Sequence, residues 1–144
     1  MAGYMTRLNG YVYDGHHQAA AAIANGVFAS LDANKKVAAL SAAASGIVMT
    51  VVEKTTLFGL PAVRLEVLKN ADGGVWFVEN EWDVNEYSAY DESAYTAPAG
   101  AYVKMHQPVT GDQLIMSVDA TTYAALAVGD SVSPASGGGI AKNS

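Results

Sequence analysis

Alternation of apolar and polar residues is the clearest pattern in the middle of the chain. In PAVRLEVLKN, residues 61–70, Val63, Leu65 and Val67 alternate with Arg64, Glu66 and Leu68, as in a strand with one buried face. The preceding run GIVMTVVEK is rich in β-branched residues, which favour strands. The turn sequence NADGG and the apolar run VWFVENEW follow. Together these segments predict a β-hairpin over residues 63–80.

Short strand candidates recur through the rest of the chain, separated by turn signals about every ten residues. GVFASLD and KVAAL flank the turn-prone DANKK, AYVKM and LIMSV flank PVTGDQ, and two segments near the C-terminus flank a glycine-rich turn. Many short strands of this kind are typical of a sandwich or small barrel. The predicted fold is therefore all-β, a small β-barrel or sandwich of short antiparallel strands forming a single domain over residues 26–144.

Residues 1–25 lack this alternation. They contain three glycines, and their run of alanines is too short for a stable isolated helix. The pattern predicts an extended N-terminal arm over residues 1–25 that becomes ordered on contact with a partner. Tyrosine gives a large contact area with a polar tip and is enriched at protein interfaces. The arm residues expected to contact the partner are Tyr4, Arg7, Tyr11, Val12 and Tyr13.

The segment DVNEYSAYDESAYTAPAGA, residues 83–101, is acidic and rich in tyrosine. Loops of this length are usually functional or mobile. Tyr87, Tyr90 and Tyr95 are candidates for an interface loop, and the alternative is that they cover their own domain.

Composition narrows the function classes. The net charge is −6 and only 15% of the 144 residues are charged, against about 25% in an average globular protein. Because no basic run is present, a nucleic-acid partner is not expected. The absence of cysteine excludes disulfides, thiolate zinc sites and cysteine catalysis. No signal-like N-terminus and no apolar run long enough to span a bilayer is present, so a membrane partner is not expected.

Few residues resemble a catalytic or metal site. His16 and His17 are adjacent, so on a strand they point to opposite faces and cannot easily bind one ion. The acidic series from Glu79 to Glu92 could supply a pair of carboxylates for glycoside chemistry, although charge runs are usually solvated. No serine-nucleophile or phosphate-binding motif occurs. The sequence thus predicts a protein that is not an enzyme and has no metal or other cofactor.

Three features together carry a family resemblance: the glycine- and tyrosine-containing N-terminal segment, NGVFASLD at residues 25–32, and VGDSVSPASGGGIAK at residues 128–142. With them the chain resembles the head decoration, or capsid cement, proteins of tailed bacteriophages. The resemblance implies a structural protein that binds the outer surface of an expanded capsid and stabilises it. It also implies the major capsid protein and neighbouring copies, as a trimer, as partners. The implied location is the outer capsid surface of the virion, after synthesis in the host cytoplasm.

Within this resemblance, the N-terminal arm lies across the major capsid protein, and that role falls on residues 2–18. Three alternatives remain open. One is another virion component, such as a tail-tube or head-fibre base domain. Another is a carbohydrate-binding β module that uses Trp76, Trp82 and the Tyr87–Tyr95 loop. The last is a small hydrolase built on the acidic series.

Overall fold

The computed structural model describes residues 2–10, 12–80 and 96–143, which form two antiparallel sheets, a two-stranded ribbon and one short helix. In spatial order, the six-stranded sheet contains β1 (Gly3–Arg7), β11 (Gln113–Ser117), β7 (Leu60–Asn70), β6 (Ile47–Leu57), β12 (Ser131–Pro134) and β13 (Ile140–Lys142). The five-stranded sheet contains β2 (Tyr13–Gln18), β10 (Tyr102–His106), β8 (Trp76–Val78), β4 (Phe28–Leu31) and β5 (Val37–Ala39). The ribbon pairs β3 (Ile23–Ala24) with β9 (Thr96–Ala97).

The predicted all-β fold is confirmed, in the form of a sandwich. A parallel bridge between Ala19 and Val37 joins the ends of the five-stranded sheet at one point, but the sheet does not close into a barrel. The expected pairing of GVFASLD with KVAAL is also confirmed, as β4 with β5. The C-terminal pair is confirmed as β12 with β13.

The hairpin predicted over residues 63–80 is wrong. β7 pairs with β6 and β11, whereas β8 pairs with β10 and β4 in the other sheet. The NADGG turn carries the chain between the sheets, and the Asn70 side chain fixes it by donating to the Pro108 carbonyl at 2.6 Å. The long hairpin of the molecule is instead β6–β7, whose strands meet at Phe58 and Gly59.

The five-stranded sheet packs on both faces. Phe28 and Phe77, with ring centroids 5.1 Å apart, belong to the core against the six-stranded sheet, together with Met49 and Leu65. On the opposite face a second core of nine buried residues lies beneath the ribbon. Its members are Ala19, Ile23, Val27, Ala29, Val37, Val78, Ala97, Val103 and Met105. Alternate residues of the same strands therefore serve two different cores.

The N-terminal segment is extended, as predicted, but its partner is its own chain. β1 pairs with β11 and β2 with β10, and Ala2 and Ala19 are each only 1% exposed. Gly3 permits close packing here, because a Cβ at this position would lie 2.6 Å from the Gly26 Cα. Residue 25 is therefore not a boundary between a separate arm and the domain. The error arose from reading the lack of alternation and the glycines as signs of a free segment.

The sequence did not predict the helix α1 (Ala120–Ala125). Asp119 caps its N-terminus by accepting a hydrogen bond from the Thr122 backbone N–H at 2.7 Å. Hydrogen bonds from Thr122 hold the pKa of the Asp119 carboxyl below its usual range. None of the helices in the described part of the chain is long and apolar enough to cross a membrane.

Candidate interaction surface

One stretch of chain supplies an outermost strand to each sheet. β1 stands first in the six-stranded sheet and β2 first in the five-stranded sheet. Within the described residues, each of these strands pairs with a sheet neighbour on one side only. Backbone groups on the other side of an outermost strand can bond to a partner strand. In β2 the His16 N–H is an exception, because Asp14 accepts from it, and the bridge from Ala19 to Val37 limits the open edge at the end of the strand. We call the described residues of 3–18 the N-terminal edge.

A buried carboxylate holds the connection between β1 and β2 in place. Asp112, 1% exposed, accepts hydrogen bonds from the backbone N–H groups of Asn9 at 2.6 Å, Gly10 at 3.2 Å and Val109 at 2.9 Å. Charge-assisted bonds of this kind are stronger than those between neutral groups. One side chain therefore anchors the described part of the connection between the two edge strands.

Several side chains of the N-terminal edge are exposed. Leu8, Val12 and Tyr13 are 43%, 39% and 40% exposed, respectively. The Tyr13 ring also meets His106 edge-on, with ring centroids 5.5 Å apart. These three side chains give the edge an apolar surface beside its backbone groups.

The other predicted arm residues differ in how accessible they are. Tyr4 is half-buried and packs against the small cluster that contains Leu57 and Ile115. Arg7 is exposed, bonds to the Gly111 carbonyl at 2.8 Å and pairs with Glu66 at 3.1 Å. Tyr11 lies outside the described residues. Of the predicted contact residues, Val12 and Tyr13 are thus best placed to meet a partner.

The histidine pair belongs to a local turn in β2. The ladder with β10 shifts register between Val103 and Met105, and this bulge lets Asp14 contact both histidines. Asp14 accepts from the His16 backbone N–H at 2.8 Å and pairs with the His17 Nδ1. His16 points to solvent while His17 is half-buried. Across the described ranges, no group of three or more potential ligand side chains could hold a metal ion.

Of the acidic series, the structure describes Glu79 alone. Glu79 pairs with His106 at 3.3 Å, and the rest of the series, with Trp82, Tyr87, Tyr90 and Tyr95, lies outside the described residues. Trp76 is half-buried and packs against the second core. A flat sugar-binding platform built on Trp76 is therefore not favoured.

The two residues that flank segment 81–95, Asn80 and Thr96, contact adjacent residues of the chain. The buried Asn25 side chain accepts a hydrogen bond from the Asn80 backbone N–H at 2.7 Å, and Ala24 pairs with Thr96 in the ribbon. Asn80 in turn accepts from the Lys104 backbone N–H at 3.0 Å. The predicted interface segment itself lies outside the described residues, and both of its flanking residues contact residues 24–25.

Sequence reasoning missed a second exposed surface at the tip of the β6–β7 hairpin. Phe58 is 47% and Leu60 36% exposed, and Leu60 also lines a cleft of about 460 Å³ beside α1. The signal was present in the sequence as LFGL between two β-rich runs, a glycine-containing two-residue connection.

The described surface offers backbone hydrogen bonding and apolar contact, and both suit the binding of another protein. Comparisons with protein-family models, curated proteins and solved structures find no match to this chain.

Proposed function

We propose that this chain is a structural virion protein that binds the outer surface of an expanded phage capsid and stabilises it. The observation that carries the proposal is the N-terminal edge, where one continuous segment presents an outermost strand of both sheets beside Val12 and Tyr13. The resemblance of the chain to head decoration proteins implies that the partner of this edge is the major capsid protein.

Pre-ordering of the edge favours binding. A free arm would lose roughly 1–2 kcal/mol of conformational entropy for each residue that becomes ordered on docking. β1 and β2 are already fixed by their own sheets and by Asp112, so docking on the shell avoids most of that cost. Each main-chain hydrogen bond added by the partner then contributes about 0.5–1.5 kcal/mol net.

Many modest contacts are enough for this function. Copies held close together on one shell bind at a high effective concentration, which can strengthen attachment by about 10²–10⁴ over a single contact. The partners proposed are therefore the major capsid protein and neighbouring copies of this chain, on the outer surface of the virion. Tyr87, Tyr90 and Tyr95 are proposed to add contacts from the segment beside Asn80.

The test is co-sedimentation of the purified chain with expanded and unexpanded heads of the phage that encodes it. Double replacement of Val12 and Tyr13 by Ser should raise the Kd for expanded heads about tenfold or more. The melting temperature should fall only slightly, through loss of the ring contact between Tyr13 and His106. Val128→Ser is the matched control, because Val128 is 64% exposed and lies in the connection before β12, away from β1. It should bind as the unmodified chain does.

Two further variants test which other residues contribute to capsid binding. Triple replacement of Tyr87, Tyr90 and Tyr95 by Ser should weaken binding while the domain stays folded. Double replacement of His16 and His17 by Gln should have a smaller effect than the change at Val12 and Tyr13. If the unmodified chain does not sediment with expanded heads, the proposed function is wrong. If the Val12 and Tyr13 variant binds normally, the edge is not the contact.

A further inference from the structure

The β6–β7 turn places a phenylalanine where the backbone disfavours one. Phe58 and Gly59 have φ angles of 50° and 78°, as in a two-residue turn with both central residues left-handed. Asn, Asp or Gly normally takes the first position, and for other residues this conformation costs roughly 1–2 kcal/mol. The Phe58 ring remains 47% exposed, so packing within its own domain offsets only part of that cost and leaves about half of the ring surface for a partner. Strain of this kind is characteristic of functional positions.

A cleft beside the tip is suited to an aromatic ring. Its volume is about 460 Å³, whereas a cavity of about 150 Å³ suffices for benzene in another protein. Leu60, Val118 and Ile140 give it apolar walls, and the small residues of the β12–β13 turn form another side. Apolar walls with a few polar groups are typical of sites that take an apolar group from a partner.

The tip and the cleft adjoin on one molecule. Leu60 follows Phe58 by two residues in the chain and lines the cleft itself. A projecting side chain next to a matching recess makes a self-complementary surface, which is what a two-fold contact requires. We infer that two copies of this chain bind each other reciprocally, with Phe58 of each copy seated in the cleft of the other.

Charge favours a second copy over a partner of opposite charge. Residues 55–61 at the tip, TTLFGLP, carry no charged side chain, and Asp119 is the one charged residue that lines the cleft in the described part of the chain. Five of the 14 acidic residues lie in segment 81–95, and the remaining residues hold nine acidic against eight basic side chains. The tip and cleft can therefore meet their own copy without strong repulsion.

Buried area sets the strength of this contact. An aromatic side chain buries about 150–250 Å² in full, and Phe58 has only about half of its surface left to bury. Two such tips fall well short of the roughly 800 Å² per partner of a stable complex. We therefore expect weak pairing in solution, strengthened where copies are held close together. That strengthening on a shell rests on the proposed function, whereas the contact itself can be measured in the free protein.

Sedimentation equilibrium between about 10 μM and 1 mM protein tests the contact. Phe58→Asn should raise the dimer dissociation constant at least tenfold. The same change should leave the melting temperature nearly unchanged, because the better turn sequence Asn-Gly compensates for the loss of the half-buried ring. Leu68→Ser is the matched control, since Leu68 is 51% exposed at the opposite end of the same strand. It should leave pairing unchanged. A merely structural Phe58 would give a lower melting temperature and no change in pairing.

Blocking the cleft tests the inference independently of any change at Phe58. A Cβ at Gly139 meets no atom within 4 Å, so Gly139→Leu should fill the cleft and weaken pairing with little effect on folding. Mixing the Phe58→Asn and Gly139→Leu variants restores one intact tip and one open cleft. The mixture should therefore pair more tightly than either variant alone.

Three results overturn the inference. They are a monomer at all concentrations, an oligomer insensitive to Phe58→Asn, and a mixture that pairs no better than its components. The proposed function fails separately, through loss of capsid binding by the unmodified chain.

Discussion

At the scale of single residues, the fold around the N-terminal edge and the ribbon depends on buried polar side chains whose partners are far away in sequence. Asp112 binds the backbone of Asn9, 103 positions earlier, and Asn25 binds Asn80 across 55 positions. No local pattern in the sequence indicates such pairs, because they exist only once the sheets have assembled. The sequence did single out Val12 and Tyr13, which are both exposed, since apolar character and tyrosine content are local properties; their contact with a partner stays a prediction.

Asp112→Asn tests the importance of this carboxylate. An amide keeps one acceptor oxygen, so it cannot accept all three backbone hydrogen bonds, and a buried donor left unpaired costs about 1–3 kcal/mol. We expect a loss of that size in the free energy of unfolding, measured by urea denaturation. Amide exchange in residues 3–10 should also become faster. Asp119→Asn is the control, because Asn caps a helix about as well as Asp. Equal effects of the two changes would mean that Asp112 has no special role.

At the scale of elements, the sequence predicted most strands but not all of their neighbours. Alternation reports that one face of a strand is buried, and it does not report which strand lies alongside. Pairing was predicted correctly where a short turn joins two strands, as in β4–β5 and β12–β13. It was wrong for β7, where the NADGG turn looks like a hairpin turn but crosses between sheets. The same limit made β1 and β2 look like an unpaired arm.

Deletion of residues 2–7 distinguishes between two interpretations of this segment, a strand that belongs to the sheet and a free arm. The deletion removes the ladder with β11 and the two hydrogen bonds between Ala2 and Ser117, one to the Ser117 side chain and one from its backbone. We expect the free energy of unfolding to fall by about 2–5 kcal/mol, from lost hydrogen bonds and apolar burial. Arg7→Ala, which removes an exposed ion pair, should cost no more than about 1 kcal/mol. An unchanged melting temperature after the deletion would restore the free-arm interpretation.

At the scale of the whole molecule, the two cores are linked through the strands they share. Phe28 and Ala29 are adjacent in β4 and face different cores, as are Phe77 and Val78 in β8. Loss of either core therefore disturbs strands that the other core needs. The apolar runs of these strands were visible in the sequence, but an apolar run can indicate either a strand buried on both faces or a helix segment. The ribbon that covers the second face joins residues 23–24 to residues 96–97, a pairing that no local signal predicts.

This linkage predicts that the chain unfolds in a single transition. Met49 and Met105 are both fully buried, one in each core, so Met49→Ala and Met105→Ala form a matched pair. Each change should lower the free energy of unfolding by about 2–5 kcal/mol and shift the whole transition by roughly 2–4 °C per kcal/mol. Tryptophan fluorescence and far-ultraviolet circular dichroism should give coincident curves for both variants, as a two-state transition requires. Two separate transitions, with Met105→Ala moving only one of them, would show instead that the second core folds and melts independently of the sandwich.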